Sequence, residues 1–341
     1  MHSRRVDLIG ADRAASVNTY QLVGKFLLPD CRATTVVGKE TQPARAREAT
    51  LMRTVVLEGG FGLQNLRCRE AAMPSIGEHD VLLKMRAASL NYRDYLTVVG
   101  SYNPRLRLPL VPVSDGVGEV VDAGSRVTRV RVGDRVVPAF RVNWVAGPFR
   151  PEVRLATLGG PLDGVMSEYI AIPAEAAVQV PSFLSDAEAA TLPVAAVTAW
   201  NALRVEGGIG PETSVLVQGT GGVALFALQL AKIAGASAIV ISSSDEKLQK
   251  AKTLGADHLI NYRAHPDWER LVQELTADRG VDLVLELGGA ETLDKSSRCA
   301  ALGGQIASTS ARWPDRRRSA ESRVEDALGI EARHAGDRGT G

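Results

Sequence analysis

Residues 214–250 read SVLVQGTGGVALFALQLAKIAGASAIVISSSDEKLQK. An apolar run, SVLVQ, leads into a glycine turn. A long apolar stretch of helical length follows, and then a second apolar run, SAIVIS. Gly219-Thr220-Gly221-Gly222-Val223-Ala224 fits the spacing G-x-G-x-x-A. In such a turn the first glycine permits the tight reversal, the second lets the backbone approach a pyrophosphate, and a small third residue allows close helix–strand packing. The helix that starts there directs free N–H groups and a positive dipole end at the phosphates. The motif follows a strand and opens a helix, the context in which it signals dinucleotide binding.

The end of the second strand bears on which dinucleotide. An NAD site presents Asp or Glu there, accepting from the ribose 2′-OH and repelling a 2′-phosphate. Here the position holds Ser242, Ser243 and Ser244, with Lys247 close behind. Hydroxyls and an ammonium suit a phosphate, which favours NADP(H) over NAD(H). Two alternatives stay open: Ser243-x-x-Glu246 also has the spacing of a helix capping box, and Asp245 could serve as a displaced ribose ligand.

Outward from this stretch the chain divides. Strands are expected near 214–218, 238–242, 257–261, 281–286 and 304–308, with helices near 222–234, 245–254, 266–277 and 290–300. This alternation implies βαβ units and a parallel, doubly wound sheet. Upstream, MRTVVLEGG, HDVLLKMRAASL and GVGEVVDAGSRVTRVRVGDRVVPAF are short alternating runs punctuated by glycine. They predict a small β-barrel or partly open β domain. The reading assigns residues 52–181 to the β domain and 182–308 to the dinucleotide-binding domain. Residues 1–51 read as a disordered or misassigned extension, and 309–341 as an Arg-rich disordered or frameshifted tail.

The 341 residues carry 40 Lys and Arg against 39 Asp and Glu, a formal net charge of +1. That balance gives no case for nucleic acid or an anionic membrane as partner. Three scattered cysteines, Cys31, Cys68 and Cys299, form no CxxC pair. They argue against a disulfide framework and for a reducing compartment. With no apolar run of spanning length and no apolar signal region, a cytoplasmic location is expected.

Several blocks together resemble the medium-chain dehydrogenase/reductase superfamily, in particular its zinc-independent alcohol dehydrogenase-like and quinone oxidoreductase-like branch. They are SLNYRDYLTVVGSY, PLVPVSDGVGEVVDAGSRVTRVRVGDRVVP, AATLPVAAVTAWNAL, VLVQGTGGVALFALQLAKIAGA, KLQKAKTLGADHLINYR and RGVDLVLELGG. The resemblance implies a GroES-like catalytic domain followed by a Rossmann domain. It implies an NAD(P)-dependent oxidoreductase acting on a small carbonyl, quinone or activated alkene. Gly219, Gly221, Gly222 and Val223 would hold the pyrophosphate, and Ser243 and Lys247 the 2′-phosphate. Tyr262 would lie along the adenosine phosphate, Thr198 on the nicotinamide side, and Gly288 beside the nicotinamide ribose.

Zinc-dependent members place a cysteine early in the β domain and Gly-His-Glu somewhat later. Here SLNYRD has no cysteine, and the later block reads Val113-Ser114-Asp115-Gly116. No metal is expected. Activation of the substrate oxygen then falls to hydrogen-bond donors, for which Tyr92, Asn91 and Asp94 are the candidates; Arg93 and Asp94 could equally form a local ion pair. Asn143 and Trp144 could shape a pocket.

The likeness stops after ALGGQIAS, at Ser308. In the strand order 3-2-1-4-5-6 the last strand would be missing and the fifth would be an exposed edge. The homodimer common in the family becomes doubtful for that reason. It also leaves open a second reading, a non-catalytic relative that retains dinucleotide binding.

Overall fold

The computed structural model describes residues 51–147, 153 and 155–309, together with the backbone of 23–25 and 332–334. These residues fall into two compact units divided between Pro193 and Val194.

The first unit is built on antiparallel strands. They are β1 (Val23–Lys25), β2 (Leu51–Leu57), β3 (Leu66–Ala72), β4 (Asp80–Ser89), β5 (Asp115–Ala123), β6 (Arg135–Pro138), β7 (Tyr169–Pro173) and β8 (Ala177–Gln179). The main sheet runs β1-β4-β5-β6-β8, with β7 also paired to β4, while β2 and β3 form a separate ribbon. Alternation along the strands supplies the core, because every second side chain faces inward. Val81, Leu83, Val120, Val136 and Ile172 meet there with Val165 and Leu158. Two short helices belong to this unit: α1 (Tyr92–Val98) follows β4, and α2 (Asp186–Ala190) packs on β4 and β5. A Ser185–Glu188 capping box opens α2, as the Ser-x-x-Glu spacing predicts. Because α2 sits with the strands, the division falls later than the expected residue 182.

The second unit begins in a helical run where α3 (Val197–Trp200) is flanked by wider π-helical turns, 192–196 and 201–206. It continues as β9 (Ser214–Gln218), α4 (Gly222–Ile233), β10 (Ser237–Ser242), α5 (Asp245–Thr253), β11 (His258–Asn261), α6 (Trp268–Leu275), β12 (Val281–Glu286), α7 (Leu293–Cys299), β13 (Ala300–Ser308) and β14 (Ala332–His334). All strand pairs are parallel, in the order β11-β10-β9-β12-β13-β14. Successive residues point to opposite faces, and both faces are apolar, which is why these strands read as unbroken hydrophobic runs. Val215, Val217, Leu283 and Leu285 meet Ala227, Leu228 and Ala231 of α4. Leu216, Ile239 and Val284 meet Trp268 and Val272 of α6 and Leu293 of α7.

Three expectations are corrected. The fifth strand is not an open edge along its whole length: β14 pairs with it through Ile306–Ala332, Ala307–Arg333 and Ser308–His334. Within the amino-terminal segment, β1 joins the first sheet opposite Ala87–Ser89. Cys68 is disulfide-bonded, although the scattered cysteines argued against a disulfide framework; Cys299 is buried and free. The remainder of 1–50 and of 310–341 lies outside the described residues. No described helix is long and apolar enough to cross a membrane.

Candidate active site

The glycine turn lies where the sequence puts it, between the fully buried β9 and α4. Gly219 takes φ 77°, a left-handed conformation that favours glycine, and its N–H donates to Ile241 O at 2.7 Å. Gly221 is the N-cap of α4 at φ −80° and ψ −177°, and no side chain caps the helix. A Cβ on Gly219 or Gly221 would meet nothing within 4 Å. The first N–H groups of α4, with Gly222 and Val223 in the opening turn, have no side-chain cap and no intrahelical acceptor. A diphosphate fits this arrangement, because helix-terminal amides without intrahelical partners require an acceptor.

At the end of β10, Ser242 is buried and its hydroxyl lies 3.4 Å from Thr220 Oγ1. Ser243 and Lys247 are half-buried beside it. Ser243 is not the helix cap: the N-cap of α5 is Ser244, without a side-chain bond, and Glu246 pairs instead with Lys250 at 2.9 Å. The capping-box alternative for Ser243 is thereby removed. Tyr262 stands just beyond β11, 39% exposed, and its N–H donates to Ser242 O. Thr198 lies half-buried on α3, which packs against α4.

Gly288 belongs to a cluster that sequence reading missed. Glu286, at the end of β12, is wholly buried. Its Oε1 accepts from the N–H groups of Gly288 (2.7 Å) and Gly289 (2.8 Å) and from Thr292 Oγ1 (2.6 Å). Its Oε2 accepts from Gln218 Nε2 (2.7 Å) and from the Ser296 hydroxyl. Gln218 Oε1 in turn accepts from Leu287 and Gly288 N–H, each at 3.0 Å. Gln218 immediately precedes the glycine turn, so one buried carboxylate ties that turn to loop 287–292. A side chain on Gly288 would collide with Thr292. The only available sequence signal was a polar Gln and Glu ending otherwise apolar strands. A cavity of about 310 Å3, lined by Thr213, Ser237, His258 and Arg279 among others, lies at the opposite, N-terminal end of these strands.

In the first unit the three candidate catalytic residues sit at the head of α1. Asn91 is its N-cap and forms a capping box with Asp94, whose Oδ2 accepts the Asn91 N–H at 2.8 Å. Asp94 also accepts from the Ser114 N–H and pairs with Arg93 at 3.0 Å. Both members of the pair are buried. Arg93 lies over the rings of Tyr102 and Phe140, at 5.1 and 4.9 Å, and donates to Leu158 O. Burial strips solvent from the Asp94 carboxyl and raises its pKa, against the opposing pull of Arg93 and the two N–H donors. With its oxygens so engaged, Asp94 fixes the loop rather than facing outward. Asn91 Nδ2 and Thr97 Oγ1 are shielded from solvent and have no hydrogen-bond partner among the described residues. Tyr92 is half-buried and stacks on Tyr95 with ring centroids 6.1 Å apart. Asn143 and Trp144 are exposed, the indole donating to Gly147 O at 3.0 Å.

Next to this loop, Val113 holds φ 72°, an outlier for a β-branched residue. Its carbonyl accepts from Val165 N–H at 2.8 Å. A side chain at Gly159 or Gly164 would run into its backbone. The following residues, Ser114 and Asp115, are completely buried, and the Ser114 hydroxyl donates to Asp115 Oδ1 at 2.7 Å. A catalytic zinc needs three converging protein ligands drawn from thiolate, imidazole and carboxylate. Among the described residues no three His, Cys, Asp or Glu side chains converge, and the carboxylates of Asp94 and Asp115 are already bonded to Arg93 and Ser114.

Two family profiles match the chain. One describes an alcohol dehydrogenase GroES-like domain, over residues 77–182, and the other a zinc-binding dehydrogenase, over 222–324. The second match runs past Ser308, where the resemblance was expected to stop. A zinc-type alcohol dehydrogenase-like protein of Schizosaccharomyces pombe is 44% identical over 258 residues, 75% of each chain. A Sinorhizobium meliloti structure assigned to the alcohol dehydrogenases superposes with TM-score 0.76 at 39% identity, covering 84% of both chains. A Coxiella burnetii quinone oxidoreductase gives TM-score 0.66 at 28% identity, covering 84% of this chain and 82% of its own. The two units and the glycine turn thus define a pyridine-nucleotide-type oxidoreductase fold. The chain belongs to the medium-chain dehydrogenase/reductase family.

Proposed function

We propose that the protein is a zinc-independent, NADP(H)-dependent oxidoreductase that transfers hydride between nicotinamide and a carbonyl, a quinone or an activated alkene. The observation that carries this reading is the glycine turn open at the head of α4, next to a β10 end lined by serines and Lys247 where a carboxylate would select NAD(H). Gly219, Gly221, Gly222 and Val223 would hold the pyrophosphate, Ser243 and Lys247 the 2′-phosphate, Tyr262 the adenosine side, and Thr198 and Gly288 the nicotinamide side. The bound dinucleotide would supply the hydride.

The chain's own contribution is to stabilise the substrate oxygen as it gains negative charge. Asn91 Nδ2 is a shielded donor without an acceptor among the described residues, and an oxygen that becomes anionic answers that need better than a neutral one. Tyr92 would deliver a proton from its phenol. Asp94, bound to the Asn91 and Ser114 N–H groups, would hold both in place. Ser114 and Asp115, hydrogen-bonded to one another, occupy the position where zinc relatives carry ligands.

The test is oxidation of NADPH against a panel of quinones, enones and aldehydes, with and without a strong chelator. Turnover that prefers NADPH and survives chelation is expected. Asn91→Ala and Tyr92→Phe should each lower kcat about a hundredfold while leaving NADPH affinity unchanged. Loss of activity on chelation with recovery on adding Zn2+ would overturn the zinc-independent reading. Calorimetric binding of NADPH with no turnover across the panel would select the non-catalytic alternative.

A further inference from the structure

At the C-terminal end of the parallel sheet Ser242 lies opposite Asn261 in the β10–β11 pair. The chain leaving β10 enters α5 at Asp245, and the chain leaving β11 turns through Tyr262 and Arg263. Asn261 uses both ends of its amide here. Its Nδ2 donates to Asp245 Oδ1 at 2.8 Å, and its Oδ1 accepts from the Arg263 N–H at 3.0 Å. The other acid on this turn, Glu246, is taken by Lys250. Lys247 and Arg263 make no side-chain hydrogen bond or ion pair among the described residues. Around the end of β10, then, both carboxylates are hydrogen-bonded, whereas among the described residues these two cations are not, although Lys247 lies close enough to act electrostatically on Glu246.

We infer that Asn261 determines cofactor specificity by holding the Asp245 carboxylate against β11. The inference rests on the NADP(H) reading above. A carboxylate free to swing toward the adenosine ribose would bond a 2′-OH and repel a 2′-phosphate. Asn261 restrains it sideways, so the phosphate meets Ser243, Lys247 and Arg263. Arg263 thereby joins the phosphate-binding set, on a turn that Asn261 also fixes. The restraint is a side-chain bond and leaves the β10–β11 backbone ladder intact when removed.

A freed carboxylate about 6 Å from a phosphate dianion, in a solvent-exposed setting, weakens binding about five- to tenfold, and salt reduces the effect. The experiment is a set of NADPH and NADH dissociation constants by nicotinamide fluorescence for the wild type, Asn261→Ala, Asp245→Asn and the double variant. Asn261→Ala should weaken NADPH about five- to tenfold at low salt and leave NADH as tight or tighter. Adding Asp245→Asn should restore NADPH affinity, while Asp245→Asn alone should change little. Equal weakening of both cofactors by Asn261→Ala, or a double variant as weak as the single one, overturns the inference. The wild-type NADPH-to-NADH ratio separates the two levels. A preference for NADH overturns the NADP(H) reading and this inference together, whereas a preference for NADPH without coupling between 245 and 261 overturns this inference alone.

Discussion

Replacing Gly221 by Ala and by Val separates a structural turn from a phosphate-binding one. Gly219 cannot serve, because at φ 77° any L-residue adds about 1–2 kcal/mol of strain. At Gly221 the backbone is in an ordinary extended conformation, and an added Cβ meets no atom within 4 Å. Stability should therefore move little. Alanine is a poorer N-cap than glycine by about 1 kcal/mol, and stiffening the unfolded chain returns about 0.4–1 kcal/mol. The net change is within about 0.5 kcal/mol. The ligand sees the same Cβ where its phosphate oxygens need to approach the amides. Loss of one charge-assisted hydrogen bond there costs about 1.5–3 kcal/mol, about ten- to a hundredfold in Kd. Urea denaturation without cofactor and with NADPH reads both effects. At a concentration of 100 Kd the wild type gains about 2.7 kcal/mol from NADPH. A variant with a hundredfold weaker Kd gains about 0.4 kcal/mol at that concentration. An apo protein of unchanged stability that still gains the full increment would refute the assignment of the diphosphate to this turn.

Other outcomes follow from particular contacts. Glu286→Ala removes an acceptor from five donors, of which the Gly289 N–H and the Ser296 hydroxyl have no other among the described residues, and should lower unfolding free energy by about 2–5 kcal/mol in urea titration; a loss below about 1 kcal/mol would show that the cluster repacks. Ala277 is exposed at φ 50°, so Ala277→Gly should leave stability level or raise it by up to about 1 kcal/mol, seen as a higher urea midpoint. Asp282 is held well below the usual carboxylate range, first by the Arg279 hydrogen bonds and also by the Ser214 N–H and hydroxyl. Its contribution is complete above the ordinary Asp pKa and is lost as pH falls from there toward the depressed value. Asp282→Asn should therefore flatten the acid limb of the stability profile below about pH 4 while leaving the slope near neutrality unchanged.

The Rossmann half was legible because its signals are local. SVLVQ followed by GTGGVA fixes strand, turn and helix within a dozen residues. The expected strand at 281–286 is also the observed one, because both faces of a parallel sheet are apolar and the run stands out. The charged and polar features were less legible because they depend on distant partners. Nothing adjacent to Glu286 in the sequence announces that Gln218 and Ser296 converge on it. Arg93 and Asp94 were readable as a pair, but not as a buried pair beneath Tyr102 and Phe140. The serines after β10 all look alike as letters, yet the helix caps on Ser244, Ser242 is buried and Ser243 is left at the rim. The edge strand β14 draws on three residues, too few for alternation to register, and Val113 reads as an ordinary apolar residue although its backbone is left-handed.

Val113 also limits how this region can change over generations. Its carbonyl occupies the space that a side chain on Gly164 would need, and its backbone crowds Gly159. Residues 113, 159 and 164 are therefore a single inherited unit. A methyl group gained at either glycine has to wait for a shift at 113, whereas a glycine gained at 113 would meet no such barrier. Among descendants of this chain, side chains at 159 or 164 should appear only together with a change at 113, whereas glycine at 113 can appear alone.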